Sequence, residues 1–190
     1  MKNLFMIYNP HGGLKKGKSI LKKIKPLFAL AKIELTILET EYSGHAYDFA
    51  KTLSFNQHDG ICVIGGDGTM HEIINGMLNR EDNKKIPIGL ITGGTGNSFM
   101  HDMNCLDPIK AAKKIIAGKI RAIDLAKVDA DGEIFYSFNL VGWGVPTDSN
   151  ILAEKLRWFG GLRYNISAVI EVLKGKKRIS KLICDGEEYE

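Results

Sequence analysis

The chain has 190 residues but no apolar run near the roughly 20 that a membrane-spanning helix needs. Its N-terminal run, Leu4–Tyr8, halts at Asn9 and Pro10, too soon for a secretory signal core. Cysteine is scarce. Cys62, Cys105 and Cys184 are odd in number, far apart and without a CxxC pair, which speaks against a disulfide framework or a zinc site and fits free thiols in a reducing compartment. His11, His45, His58, His71 and His101 show no metal-ligand spacing, and no Ser/His/Asp set stands out. Neither sign of charge dominates: Lys+Arg 26 against Asp+Glu 22 leaves a net +4, too little to imply a nucleic-acid partner. Internal repeats, low-complexity tracts and Pro/Ser-rich linkers are also missing. These absences predict a soluble, cytoplasmic protein that meets membranes only peripherally, with its oligomeric state open.

What is present is ordinary globular material, 44% hydrophobic and 25% charged. The positive charge is clumped at Lys15, Lys16, Lys18, Lys22, Lys23 and Lys25, and again at Lys174, Lys176, Lys177, Arg178 and Lys181. Such clusters suit phosphates or an anionic surface, although a solvated helix face accounts for most of these side chains. Trp143 and Trp158 read as core residues.

Short apolar runs alternate with helical patterns over the first two thirds of the chain. Leu4–Tyr8 reads as a buried strand and Lys16–Leu30 as a helix carrying Ile20, Leu21, Ile24, Leu27 and Phe28. Ile33–Leu38 alternates like a strand, and His45–Leu53 follows as a short helix. Gly60–Ile64 is a second buried run, before a helix bearing Met70, Ile73, Ile74 and Met77. Ile86–Ile91 is the next strand, and Asp107–Ala117 a helix opened by Asp-Pro. This rhythm predicts an α/β fold with a parallel sheet and helices on both faces, whose ligands bind at the carboxyl ends of strands. Past Gly118 the pattern changes. Ala122–Val128 and Ile134–Val141 read as antiparallel strands around Asp131-Gly132, followed by helices near Asp148–Phe159 and Tyr164–Leu173. Ile179–Cys184 then begins another strand before the Asp185-Gly186 turn. The expected organisation is a nucleotide-binding lobe at 1–118 and a β-rich lobe begun at 119–190 and left incomplete.

Three glycine clusters, at residues 12–13, 65–68 and 93–96, each follow a predicted strand and should converge on one edge of the sheet. Gly65-Gly66-Asp67-Gly68-Thr69 stands between a buried strand and a helix, where glycines let backbone approach a polyphosphate and helix N–H groups meet it. An aspartate there is paradoxical unless it holds a metal or takes a proton; a tight Asp-Gly turn is the plainer account. Gly93-Gly94-Thr95-Gly96-Asn97 repeats the device one strand later.

Gly66-Asp67-Gly68-Thr69-Met70-His71-Glu72-Ile73-Ile74-Asn75-Gly76 resembles the signature of the diacylglycerol kinase and sphingosine kinase superfamily, closest to its sphingosine-kinase-like members. Asn9-Pro10 with Gly12-Gly13 looks like its first phosphate loop, Thr40-Glu41 with His45-Ala46 is similar to a further nucleotide-side element, and Gly94-Thr95-Gly96-Asn97 matches its third loop. Trp143-Gly144, Asp148, Glu154-Lys155, Arg157, Gly160 and Arg163 follow the segment that joins the two lobes in sphingosine kinases.

The resemblance implies an ATP- and Mg²⁺-dependent lipid kinase that phosphorylates a hydroxyl of a sphingoid base or a diacylglycerol at a membrane surface. By the same resemblance Asp67 would be the catalytic base. Asn9, Pro10, His11, Thr40, Gly65, Gly66, Gly68, Thr69, Glu72, Gly94, Thr95, Gly96 and Asn97 would line the ATP site. Arg157 and Arg163 would reach back to the phosphates, and Asp148 would sit near the lipid headgroup; the metal ligands stay unassigned. Two positions depart from the pattern. Ser98 stands where diacylglycerol kinases often carry Asp, and Asn150 where sphingosine kinases commonly carry a second acid.

Other readings remain open. Gly12–Ser19 is a literal GxxxxGK[ST] match after a strand and before a helix, as in a P-loop NTPase, but that reading leaves the two later glycine loops without a role. NAD kinases share the Gly-Gly-Asp-Gly-Thr device, and a nucleotide-binding regulator without catalysis is a further alternative.

Overall fold

A computed structural model describes residues 2–12 and 15–189, apart from the side chains of Arg157, Leu182 and Tyr189. The described residues fall into two compact units, Met1–Leu140 and Val141–Glu190.

In the first unit, four strands form one parallel sheet: β1 Asn3–Tyr8, β2 Glu34–Glu39, β3 Gly60–Gly65 and β4 Ile88–Thr92, in the order β2-β1-β3-β4. The helices are α1 Gly17–Leu30, α2 His45–Thr52, α3 Asp67–Leu78, α4 Ser98–Asp102 and α5 Pro108–Ile116. The chain leaves β1 in one direction to make β2, then crosses back over β1 to β3 and on to β4. Right-handed crossovers put helices of opposite travel on opposite faces, so α1 covers one face while α2 and α3 cover the other. The contacts agree, with α1 packed on α5 and α2 on α3. Burial follows position in the sheet. The central strands β1 and β3 are apolar almost throughout and buried, supplying Leu4, Met6, Ile7, Ile61, Val63 and Ile64 to the core. The edge strand β2 is mostly open to solvent.

Local chemistry explains the boundaries. Pro87 stands immediately before β4, so the strand starts after it and not at Ile86. Asp107 accepts the N–H groups of Ile109 and Lys110 at 2.7 and 2.8 Å, and with Pro108 at the first turn it fixes the start of α5. Pro26 lies on the exposed face of α1, where the carbonyl it leaves unpaired can be solvated.

The hairpin of β5 Ala126–Ala130 and β6 Glu133–Ser137 is antiparallel and turns at Asp131-Gly132, both with positive φ (56° and 87°). Its strands are shorter than the sequence pattern suggests. Leu125 packs against the core instead of pairing, and Phe138 leaves the ladder to meet Phe99 edge-on, ring centroids 5.3 Å apart. Asn75 of α3, buried, grips β6 by donating to Tyr136 O at 2.9 Å and accepting from Tyr136 N–H at 2.8 Å.

In the second unit, α6 spans Val145–Lys155, beginning three residues before the expected Asp148 because Gly144 (φ 81°) and Pro146 supply a start signal. A 3₁₀ segment, Arg157–Leu162, is broken at Gly160 (φ 58°), and α7 runs Arg163–Leu173. Strands β7 Leu182–Cys184 and β8 Glu187–Tyr189 pair around the Asp185-Gly186 turn. Trp143 and Trp158, read as core from the sequence, are 63% and 77% exposed. The reason is that the buried residues of this unit, Ala153, Arg163, Ser167 and Glu171, offer almost no apolar surface for an indole to cover. Among the described residues, no helix is long and apolar enough to cross a membrane. Cys62, Cys105 and Cys184 are free thiols, and burial pushes Cys62 up to about 12.

Candidate active site

The strand order reverses between β1 and β3, and open α/β sheets build ligand sites at the carboxyl ends of strands beside such a switch. The loops that leave β1, β3 and β4 all start at that edge. Asn9 N–H donates to Ile64 O at 3.2 Å, and the N–H groups of Gly93 and Gly94 both reach Gly65 O, at 2.8 and 3.1 Å. Among the described residues the loops after these strands therefore meet at one edge, as the sequence predicts; Gly13 of the first cluster lies outside the described residues.

Glycine is required where these loops touch. A Cβ on Gly94 would stand 2.5 Å from the Gly66 Cα, and one on Gly65 would stand 2.8 Å from Thr69 Oγ1. Gly68 differs, with nothing within 4 Å of the position its Cβ would take. Asn97, buried, adopts φ 54° and braces its own loop. Its Oδ1 accepts Gly94 N–H at 3.1 Å while its Nδ2 donates to Gly94 O at 2.9 Å. Asn9 does the same for the first loop, its Oδ1 accepting His11 N–H at 2.9 Å. Pro10 is half-buried and His11 exposed beside it. Thr40, buried at the end of β2, donates its N–H to Tyr8 O at 3.0 Å.

The helix ends around this edge divide into two kinds. Those of α2, α4 and α5 carry carboxylates. Glu72 accepts Ala46 N–H at 3.2 Å in the first turn of α2, Asp67 accepts Ser98 and Phe99 N–H at 2.8 and 3.2 Å at the start of α4, and Asp107 serves α5. The helices that open from the first two glycine loops, α1 and α3, have no side-chain cap among the described residues. A helix start leaves its first N–H groups without intrahelical acceptors and carries the positive end of the helix dipole. The start of α3, with Gly66 before it and the open position of Gly68 within its first turn, thus has the shape and dipole that suit an anion.

Asp67 stands at this receptor, half-buried, with each carboxylate oxygen already accepting one backbone N–H. Those bonds fix its orientation and leave one further lone pair on each oxygen. Glu72 points instead at α2, so its described bond is structural. Thr69 is half-buried in the first turn of α3, Thr95 is half-buried in its loop and Gly96 is exposed.

Lys18, the lysine of the GxxxxGK[ST] match, is drawn to Glu39 at 3.2 Å. The Tyr8 hydroxyl also donates to Glu39, which sits below its ordinary range mainly through that bond and then through Lys18. Burial, reinforced by Glu39, pushes Tyr8 up to about 12. With its charge committed beside β2, Lys18→Ala is expected to leave ATP affinity within about threefold, as for an exposed ion pair. Loss of nucleotide binding in a fluorescent-nucleotide titration would restore the P-loop reading.

The second unit holds the remaining sequence-selected residues. Arg163 is buried, 3.5 Å from Glu154, and donates to the Tyr164 hydroxyl at 2.7 Å; its Nε has no partner among the described residues. The side chain of Arg157 lies outside the described residues. Asp148 accepts from Arg178 at 2.5 Å and lies 3.6 Å from Lys176, and the Arg178 bond, with both cations, holds its carboxyl below the usual range. Asn150 is exposed.

Sequence reasoning assigned no role to three interactions here. The paired bonds of Asn75 and the capping bonds of Asp67 link residues far apart in the chain. His45 lies between the rings of Tyr42 and Phe49, at 4.3 and 4.0 Å, and only the close spacing of aromatic residues at 42, 45 and 49 hinted at that stack. Among the described residues, no three His, Cys, Asp or Glu side chains cluster to hold a metal.

Residues 3–128 match the family described as the diacylglycerol kinase catalytic domain. Sphingosine kinase 1 of Arabidopsis thaliana is 35% identical over 183 residues, which are 90% of this chain and 37% of that protein. Ceramide kinase of Homo sapiens is 30% identical over 186 residues, 88% of this chain and 35% of that protein. A diacylglycerol kinase structure from Bacillus anthracis str. Sterne superposes with a TM-score of 0.72 at 27% identity, covering 99% of this chain and 60% of that one. The chain therefore spans little more than a third of the length of these two relatives.

Proposed function

Because the chain belongs to the diacylglycerol kinase catalytic domain family, we propose that it is the nucleotide-binding part of an ATP-dependent kinase acting on a hydroxyl of a lipid. The observation that carries this reading is the start of α3, uncapped among the described residues, at the strand-order reversal, with the Asp67 carboxylate held beside it. The open position at Gly68 leaves room for a phosphate group, and the N–H groups opening α3 meet its charge. Asp67 accepts the proton of the lipid hydroxyl as that oxygen bonds to the terminal phosphorus and ADP departs with its bridging oxygen. Asn97 and Asn9 keep the loops in the shape this needs. Arg163, and Arg157 with it, would add positive charge around the transferring group.

Magnesium fits this site as a nucleotide-borne ion. It typically takes only one or two carboxylates plus phosphate oxygens, which suits Asp67 standing among the loops without a carboxylate cluster. Its contribution would be neutralisation of phosphate charge.

The acceptor is a sphingoid base or a neutral lipid alcohol such as diacylglycerol. Asp148 is the acid assigned to the headgroup, yet its charge is shared with Arg178 and Lys176, and Asn150 adds none. This favours tolerance of neutral alcohols. Asn150→Asp is expected to shift relative kcat/KM towards amine-bearing bases by about tenfold. Unchanged preference in a mixed-micelle assay would remove both residues from the headgroup site.

The reading as a whole is tested with γ-labelled ATP and a panel of sphingoid bases, ceramides and diacylglycerols in mixed micelles. Label entering the organic phase supports it; label in NADP, or none transferred, overturns it.

A further inference from the structure

Unit 1 contains an apolar cavity of about 670 Å³ that none of the residues placed at the phosphoryl-transfer site lines. It begins at the opposite end of the sheet from the glycine loops, against the starts of β1, β3 and β4 at Leu4, Gly60 and Ile88, and runs along Met77, Ile74 and Met70 of α3 to Phe99. Its volume lies in the range of small-molecule sites, roughly 300–1,000 Å³.

Two features of the lining define what it can hold. The first is softness. Met70, Met77, Met100 and Met103 all face it, four of the six methionines in the chain. Unbranched thioethers adapt their shape to a flexible partner, which suits an alkyl chain better than a rigid ring system. The second is charge. Lys85, Lys114, Lys119 and Arg121 line it, against the single acid Asp102, and none of the four cations is ion-paired among the described residues. All four are exposed, whereas the apolar floor at Ile61, Met70, Ile74 and Leu90 is buried. The arrangement is a greasy slot with a cationic mouth.

From this we propose that the cavity binds a single-chain amphiphile with an anionic head, of which a long-chain fatty acid is the simplest, taken up as a free molecule. Its alkyl chain lies along the methionine-lined floor and its carboxylate meets the lysines. A bilayer face does not reach a floor whose residues Ile61, Met70, Ile74 and Leu90 are at most 6% exposed, but one detached chain can. The cationic mouth also separates this ligand from an amine-bearing sphingoid base, which it would repel. The inference does not depend on the phosphoryl-transfer reading, because no glycine-loop residue takes part.

The test is calorimetric titration of the intact chain with palmitate below its aggregation concentration, with octanoate, hexadecanol and dodecylamine as comparisons. Saturable 1:1 palmitate binding is expected, octanoate being weaker in line with up to about fourfold per buried methylene lost. Hexadecanol and dodecylamine are expected to bind at least tenfold more weakly than palmitate, because both forfeit the charge-assisted contact. The double variant Lys114→Glu, Lys119→Glu changes only exposed side chains, so it should stay folded while losing tenfold or more in palmitate affinity. No saturable binding, equal binding of dodecylamine, or unchanged affinity in the double variant would overturn the proposal. So would sedimentation showing a dimer that palmitate does not disrupt, or binding to phosphatidylglycerol vesicles without binding of free palmitate. Label transfer to a lipid without palmitate binding would sink this inference alone. Palmitate binding without label transfer would leave it standing and sink the kinase reading.

Discussion

Asp67→Asn is expected to lower kcat by about 10²–10⁴ in a catalytically active preparation, the usual cost of removing a general base. The same side chain also caps α4 through Ser98 and Phe99, so part of any loss could come from a slackened loop. Magnitudes separate the two effects. Asparagine keeps one acceptor oxygen, and losing an N-cap outright costs only about 0.5–2 kcal/mol of stability. Thermal melting should therefore shift little while turnover collapses. A fall in kcat of less than about tenfold, together with a clear drop in melting temperature, would make Asp67 a capping residue and leave the proton without an acceptor.

Gly68→Val should likewise leave the fold intact, but the damage should fall on nucleotide binding. Nothing lies within 4 Å of the Cβ it would carry, and Gly68 has no positive φ, so the protein itself makes no demand for glycine there. Replacing a helical glycine usually gains a little stability. If a polyphosphate occupies the start of α3, the new side chain overpacks it at a cost of about 1–3 kcal/mol, or about 5- to 150-fold in ATP affinity. Unchanged affinity in a nucleotide titration would mean that the phosphates lie elsewhere. Gly94 offers no comparable test, since its Cβ would strike backbone and disturb the loops even without ligand.

The centre of the sheet was legible in the sequence because its strands, β1 and β3, are buried. Leu4–Tyr8 and Gly60–Ile64 are continuous apolar runs that only a covered strand explains, and the glycines after them mark the site edge. Helix α4 was not legible, because five residues are too few to show a 3.6-residue period. The tryptophans misled for a different reason. Trp143 and Trp158 carry enough apolar surface to suggest a core, but burial depends on partners, and their unit supplies few. Within the candidate site, the sequence named residues but not their bonding. Glu72 looks like a ligand contact in the sequence, yet its described bond goes to α2, a partner 26 residues away that no local pattern announces.

Helix α3 sends three polar side chains outwards, each to a different element: Asp67 to α4, Glu72 to α2 and Asn75 to β6. Each satisfies amide hydrogens that its neighbour cannot satisfy alone. The amides of Ala46, Ser98, Phe99 and Tyr136 are thus protected by one helix although they are scattered over 91 positions of the chain. Opening of α3 exposes all four to solvent together, which makes this part of the molecule a single cooperative unit in hydrogen exchange. A polyphosphate settling on the start of α3 would raise the free energy of that opening and slow exchange as far away as the hairpin.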